Sequence, residues 1–465
     1  MLTSARTLVL LLLLAVGAPS LASADPVPPP QTGFEVRDGA SWTTRAEELS
    51  FLEAVVAGSR RAGIATIGQS VEGRDLHLVR IADPRPVSRR AALGGRVALF
   101  ICSQHGDEPT GRETCLQWLR DLAYTQDPSL VTLLRSWTIL FLPNANPDGA
   151  EAGTRTNVNG VDINRDHLNL ETPEAQTTAR VIRGWRPDVV LDLHEFYGAN
   201  PGGDQPFGGS APVLYDDDVL YLWPRNLNVD PQIYALSKTL AAGYIGEGAR
   251  AAGYTADEYG QASASNEDVA QIAGDHDEAI LRNTGGLRHS ISVLVESNQE
   301  PDMRQGPGEA ASQAEVNRRR VASQRQAVLD TLRFLGDQGD LVQRATTRAP
   351  RRDTAEGRSR SGPVYFGGAD NQPPAPEEVQ DPPPCAYRLT KAQAGEVRPT
   401  LRLHGIRLIR RQQSVLVPLG QPAKTIIPLL LDGRGSRHSV AGTPLASCPR
   451  IVRKWQTVSA QQGRR

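Results

Sequence analysis

The stretch Val97-Ala98-Leu99-Phe100-Ile101-Cys102-Ser103-Gln104-His105-Gly106-Asp107-Glu108 organises the rest of the chain. Its apolar half has the length and β-branched content of a buried strand. Its polar half is a turn carrying a histidine and a glutamate three residues apart. Just past a strand end, an H-x-x-E pair can aim an imidazole and a carboxylate at one metal ion. Zinc accepts mixed nitrogen and oxygen ligands, and a catalytic zinc takes only three from the protein. Alone, His105 and Glu108 read equally well as two solvated turn residues. A third ligand, a base and a substrate grip have to come from elsewhere in the chain.

Outward from this strand, apolar runs alternate with amphipathic segments. The pattern predicts strands over Leu76–Ile81, Arg96–Ile101, Thr138–Leu142, Asp188–Leu193 and Ile291–Val295. It predicts helices over Thr44–Gly63, Thr110–Tyr124, Glu174–Trp185, Pro231–Ala252 and Ala310–Leu335, with Gly63 as the stop of the first. Residues 198 to 230 are rich in Gly, Pro and Asp and read as a long irregular insertion. Strands alternating with helices argue an α/β fold with a mixed, mostly parallel sheet flanked by helices. His105, His194 and Glu296 all fall at the ends of apolar strands, where open α/β sheets gather their ligand sites.

The chain has 465 residues, too many for one ordinary compact core, so a large domain with additions is expected. Lys and Arg number 51 against 52 Asp and Glu, which argues against a nucleic-acid partner bound through bulk charge. Residues 1–24 read as a signal peptide: Arg6, a leucine-dominated run from Thr7 to Val16, and Ala22-Ser23-Ala24 before the predicted cleavage after Ala24. That run is short of the ~20 residues needed to span a bilayer. The mature chain is therefore expected to be secreted or periplasmic, with no membrane span. Export permits disulfides. Cys385 and Cys448 are the better candidate pair; Cys102 and Cys115 pair locally, or Cys102 is simply a small buried hydrophobe.

Residues 25–340 form the expected catalytic domain, opening on a Pro-rich extended lead-in. Residues 341–384 carry six arginines and then a proline cluster, and read as a flexible linker. Short apolar runs return at Thr400–Ile409, Ser414–Leu419 and Thr425–Leu431, which predicts a small β-rich C-terminal module over 385–456. Residues 457–465 read as a frayed tail.

Four motifs then resemble, in order, those of the zinc carboxypeptidases, the funnelin family. Ile67 to Leu76 (I-G-Q-S-V-E-G-R-D-L) looks like the family's entry segment, and His105 to Glu113 like its H-G-x-E-x-x-G-R-E ligand motif. Pro143 to Gly149 resembles its N-P-D-G turn, and Arg155 to Arg165 (R-T-N-V-N-G-V-D-I-N-R) its substrate-gripping segment. The resemblance spans roughly residues 40 to 335. It implies one Zn2+ per chain, held by His105, Glu108 and His194, with water in the fourth position. A zinc lowers the pKa of such a water toward ~7.

The resemblance also implies roles for residues around that ion. Asp162 would hold the His105 ring in place. Arg165 and Asn164 would grip the substrate carboxylate through charge-assisted hydrogen bonds, and Arg155 would face the scissile carbonyl and stabilise its oxyanion. Glu296 ends a buried strand, where burial disfavours its charge, and it matches the family's catalytic glutamate, a proton acceptor and donor. Glu195 competes for that role, but neighbours on a strand point to opposite faces, which leaves it less well placed. Tyr259 has the flavour of the family's mobile capping tyrosine; Tyr254 is its rival.

The implied partner is a peptide with a free C-terminus. The preferred terminal residue would be set by the Tyr259–Arg288 stretch, whose Glu267, Asp268, Asp275, Asp277 and Glu278 either favour a basic residue or solvate a loop. No pro-domain of the usual length precedes the catalytic region, so zymogen control by one is not expected. The alternative within the wider superfamily is a zinc deacylase of N-acyl amino acids, which shares the H-x-x-E…H triad. A metal-free binding module on a degenerate fold would have lost a ligand or the catalytic glutamate, and none is missing.

Overall fold

The computed structural model describes residues 28–197, 217–259, 276–300 and 311–462. The expected signal peptide, and Glu267, Asp268 and Asp275, lie outside them. Eight strands form one sheet: β1 (Ala62–Gln69), β2 (Asp75–Ile81), β3 (Arg96–Cys102), β4 (Trp137–Leu142), β5 (Val189–Phe196), β6 (Val219–Leu222), β7 (Ala256–Glu258) and β8 (Ile291–Asn298). Their order is β1-β2-β4-β3-β5-β8-β6-β7. The centre, β4-β3-β5-β8, is parallel, while β1, β2 and β6 run antiparallel to a neighbour. The central strands are buried on both faces, which is why they read as continuous apolar runs.

Alternate side chains of these strands feed two cores. Phe100, Leu191, Leu193, Val293 and Val295 pack on one face against α1 (Arg45–Gly58), α2 (Pro109–Tyr124) and the long helix Gln313–Ser359; Leu99, Ile101, Leu140 and Val190 face the other way. Next in chain order come α3 (Pro128–Ser136) and α4 (Pro173–Trp185), whose Val181, Ile182 and Trp185 cover that second face. Helix α5 (Pro231–Lys238) continues through a π-helical stretch to Ala251, and α6 (Leu281–Leu287) precedes β8.

Several expectations need correction. The first helix stops at Gly58 rather than Gly63, because Ala62 onward pairs with β2. The insertion expected to be irregular contains β6, whose four residues are all buried beside β8. The lead-in is packed rather than merely extended: Thr32 and Thr43 are buried, and both hydroxyls donate to Glu113.

The flexible linker is in large part helix. Helix α7 (Gln313–Ser359) runs straight through the arginine-rich stretch. Val342, Ala345, Ala349, Asp353 and Gly357 recur at helical spacing and are all buried. The arginines lie between them, and Arg352 pairs with Asp230 at 3.0 Å. After α7, β9 (Val364–Tyr365) and β10 (Val379–Gln380) form a two-stranded ribbon.

The C-terminal segment carries a small sheet, β11 (Ala386–Leu389), β12 (Ile409–Arg410), β13 (Val415–Pro418) and β14 (Thr443–Leu445), in the order β12-β13-β11-β14. It is not β-rich throughout: α8 (Lys391–Leu403), α9 (Ile426–Leu431) and α10 (Arg450–Gln462) occupy much of it. The runs at Thr400 and Thr425 were expected as strands. Thr390 and Gln393 close a capping box at the start of α8, and all six residues of α9 are buried, so no periodicity marks it as helix. Cys385–Cys448 and Cys102–Cys115 are both disulfide-bonded. Tyr387, Leu401, Val417 and Leu430 join the same core cluster as the main sheet. Among the described residues no helix is long and apolar enough to cross a membrane.

Candidate metal centre

Strand β3 ends at Cys102, and Ser103 adopts a left-handed φ of 55°, which turns the chain sharply into Gln104 and His105. Gly106 then passes so close to the short helix Pro147–Ala152 that a Cβ there would lie 1.9 Å from the Gly149 carbonyl carbon. Glu108 follows, and Pro109 opens α2. The turn is therefore clamped at both ends, and the disulfide joins β3 to α2 directly behind it.

His105, Glu108 and His194 are brought together, all buried, with one ligand atom from each within 4.8 Å of the others. His105 Nδ1 lies 2.6 Å from Glu108 Oε1, and His194 Nδ1 lies 2.8 Å from Oε2. The two Nδ1 atoms are 3.1 Å apart. Each far nitrogen faces a carboxylate: His105 Nε2 meets Asp162 Oδ1 at 3.0 Å, and His194 Nε2 meets Asp192 Oδ2 at 3.0 Å. With a cation bound on the Nδ1 side, those carboxylates would take the Nε2 protons and leave Nδ1 as the lone-pair donor, while Asn164 Nδ2 also lies 3.0 Å from His194 Nε2. Burial opposes ionisation of Glu108, yet the facing imidazoles hold its carboxyl well below the usual range. Asp162, despite burial, is likewise held low by His105 and Arg155. Two imidazole nitrogens and an ionised carboxylate, converging and backed by carboxylates, fit a divalent metal ion.

Asp192 was not foreseen as a partner of His194. The signal was available: residues two apart on a strand share a face. Asp192 Oδ1 also accepts from Gln104 Nε2 at 2.7 Å, and Gln104 Oε1 accepts from His167 Nε2 at 2.6 Å. Burial pushes His167 down to about 4, so this chain of contacts is held by a neutral ring.

Glu296 and His194 are paired residues on adjacent parallel strands. Neighbouring strands stand about 4.8 Å apart, so the carboxylate lies beside the His194 imidazole on the same face. Burial, with the charge of Glu108, pushes Glu296 up to about 7 against the pull of the imidazoles. Glu195 points to the opposite face. It accepts from Thr110 N (2.9 Å), Thr110 Oγ1 (2.6 Å) and Arg320 Nη2 (2.6 Å), and so anchors α2 and α7 to β5.

Arg155 donates through Nε and Nη2 to Asp162 Oδ2, at 3.1 and 3.0 Å, and its Nη1 lies 3.4 Å from Glu108 Oε1. Asn164 accepts from Leu281 N at 2.9 Å, and its Nδ2 lies 3.5 Å from Asp192 Oδ2. Its amide is thus partly committed to the wall behind His194. Arg165 Nη1 donates to the Asn164 carbonyl at 3.0 Å. Tyr259 packs on Leu222 and Leu294, with its ring centroid 6.5 Å from that of Phe196. Tyr254 lies under Arg319, whose guanidinium is 5.2 Å from its ring. Asp277 pairs with Arg437 at 2.7 Å, and burial pushes Glu278 up to about 7, so neither solvates an open loop.

Two of the quoted motifs explain each other. Asp148, of the N-P-D-G turn, accepts from Ser70 Oγ (2.7 Å), Glu72 N (2.9 Å) and Arg74 Nη1 (2.7 Å). The S-V-E-G-R segment is therefore the cradle of that aspartate, which sits in the short helix that Gly106 abuts.

Residues 49–196 match the family model described as zinc carboxypeptidase. This segment, which holds all three candidate ligands, is similar to the zinc carboxypeptidases; Glu296 lies beyond it. The chain is 30% identical over 290 residues to "Probable carboxypeptidase 2" of Arthroderma benhamiae, covering 60% of this chain and 52% of that protein. It is 31% identical over 272 residues to "Carboxypeptidase 2" of Trichophyton rubrum, covering 56% and 48%. The chain thus spans about half the length of the curated relatives it matches. The solved structure of a metallo-carboxypeptidase from Pseudomonas aeruginosa in complex with (2-guanidinoethylmercapto)succinic acid aligns with a TM-score of 0.46 at 22% identity, over 64% of this chain and 70% of that one.

Proposed function

We propose that this chain is an exported zinc metallocarboxypeptidase that hydrolyses the C-terminal peptide bond of peptides. The observation that carries the proposal is the convergence of His105 Nδ1, Glu108 and His194 Nδ1, with Glu296 in register on the next strand. A zinc bound there would supply a polarised carbonyl and a water acidic enough to attack near neutral pH.

The chain's own residues divide the remaining work. Asp162 and Asp192 hold the imidazoles in the metal-binding tautomer. Glu296 takes a proton during attack and returns it to the leaving amine. Its raised pKa suits that exchange, because a base titrating near the working pH both accepts and releases readily. Arg155, already within reach of Glu108, stabilises the oxyanion. Arg165 grips the terminal carboxylate, and Asn164 adds an amide donor once it turns from the Asp192 and His194 wall. Two disulfides support export, since such bonds persist in oxidising compartments.

Arg165→Ala tests the specificity. Losing a charge-assisted contact of about 1.5–3 kcal/mol should lower kcat/KM for a free-carboxylate peptide roughly 10–100-fold. The already poor turnover of the amidated peptide should not change. Equal losses on both substrates would remove Arg165 from carboxylate recognition.

A further inference from the structure

The candidate metal centre occupies the carboxyl ends of β3, β5 and β8. At their amino ends lies a cavity of about 840 Å³, bordered by Gly94 before β3, Pro187 before β5 and His289 before β8. Helices α4 and α7 form two of its sides, and the C-terminal segment closes it. Its volume is that of a small-molecule pocket.

Five arginines line it: Arg183, Arg186, Arg288, Arg351 and Arg407. Asp188 is the one carboxylate among its lining residues, and its oxygens accept from Val97 N–H and the Thr346 hydroxyl. Among the described residues, no carboxylate makes an ion pair with any of the five arginines. Arg288 Nη2 donates to the Leu403 carbonyl at 3.0 Å, and burial together with the charge of Arg183 pushes this guanidinium down to about 10. Like charges gathered in a concave site repel one another and focus a field that favours an anion.

A second, independent observation comes from His404, which lines the cavity and is only 7% exposed. Its Nε2 donates to the Leu168 carbonyl at 2.7 Å, while its buried Nδ1 has no partner. Burial pushes this ring down to about 3, so it is neutral and Nδ1 is an acceptor. A ligand here must offer a donor as well as negative charge.

We propose that this cavity binds a small phosphate-class oxyanion carrying a hydroxyl, its oxygens taken by the arginines and its hydroxyl donating to His404 Nδ1. Paired guanidinium N–H groups match phosphate oxygens, and a hydrogen phosphate or a phosphate monoester with a free hydroxyl supplies the donor. The inference is independent of the proposed peptidase activity.

Isothermal titration of the full chain with glycerol 3-phosphate, inorganic phosphate and uncharged glycerol tests it. Saturable binding of one phosphate compound per chain is expected, with none of glycerol. Tighter binding of the ester would assign a monoester ligand, and tighter binding of inorganic phosphate the free anion; either supports the site. Arg288→Gln and Arg183→Gln should each weaken binding about tenfold or more. Arg183 is exposed, so its variant reads the loss in a folded chain even if Arg288→Gln is unstable. Arg165→Ala, at the metal centre, should leave affinity unchanged. Absence of saturable binding, full affinity in Arg183→Gln, or loss of binding in Arg165→Ala would each overturn the proposal.

Discussion

At the residue scale, the candidate centre depends on which nitrogen each histidine presents. Both present Nδ1, because Asp162 and Asp192 occupy the far side of the rings. Asp192→Ala should therefore weaken zinc affinity about 10–100-fold, measured by competition with a chromogenic chelator. An unchanged affinity would show that Asn164, whose Nδ2 lies 3.0 Å from His194 Nε2, orients the ring without it. Glu296 makes a pH prediction. A general base works only when ionised, so the rate rises as pH rises through its pKa. Burial puts that value at about 7, and a cation held by the neighbouring ligands favours the carboxylate and shifts the acid limb lower. The kcat profile should thus climb to a plateau at or below pH 7. Glu296→Gln should abolish the limb and reduce kcat about 10²–10⁴-fold with zinc still bound. A limb that persists in the variant would belong to another group.

At the element scale, legibility followed residue size. Strands β3, β5 and β8 were readable because a strand buried on both faces is an uninterrupted run of large apolar residues. The site residues at their ends were readable with them. The second half of α7 was not, because its buried face is built from Ala345, Ala349 and Gly357, which carry little hydrophobic signal beside six arginines. These small residues let the helix approach the C-terminal segment closely: a Cβ on Gly357 would lie 2.1 Å from the Leu419 carbonyl oxygen. Gly357→Ala should therefore destabilise the protein by about 1–3 kcal/mol in urea unfolding. Gly336→Ala is the control. It sits on the exposed side of the same helix with nothing within 4 Å, and should stabilise by about 0.5–1 kcal/mol. Equal effects at both positions would refute the close-packing account. Helix α9 was misread for the opposite reason, since six consecutive buried apolar residues look the same as strand or helix.

At the scale of the whole molecule, what the sequence could not disclose was long-range pairing. Asp148 is bound to a segment more than seventy residues earlier, and Asp192 to Gln104, 88 residues away. Neither pairing leaves a local trace. The C-terminal segment is likewise tied to the loop bearing Asp162, Asn164 and Arg165: Thr400 donates to the Asn169 carbonyl at 3.0 Å and His404 to that of Leu168. The segment is thus a support for the candidate site as well as a wall of the second cavity.

The proposed function rests on His105, Glu108, His194 and Glu296 acting together as a metal-dependent carboxypeptidase. Mass spectrometry of a mixed peptide library tests it most directly, with the chain metal-free and then titrated with zinc. The expected result is loss of single C-terminal residues, rising to a plateau at one zinc per chain and far slower from amidated peptides. Cleavage that ignores zinc, cuts internal bonds, or acts only on acylated amino acids would contradict it.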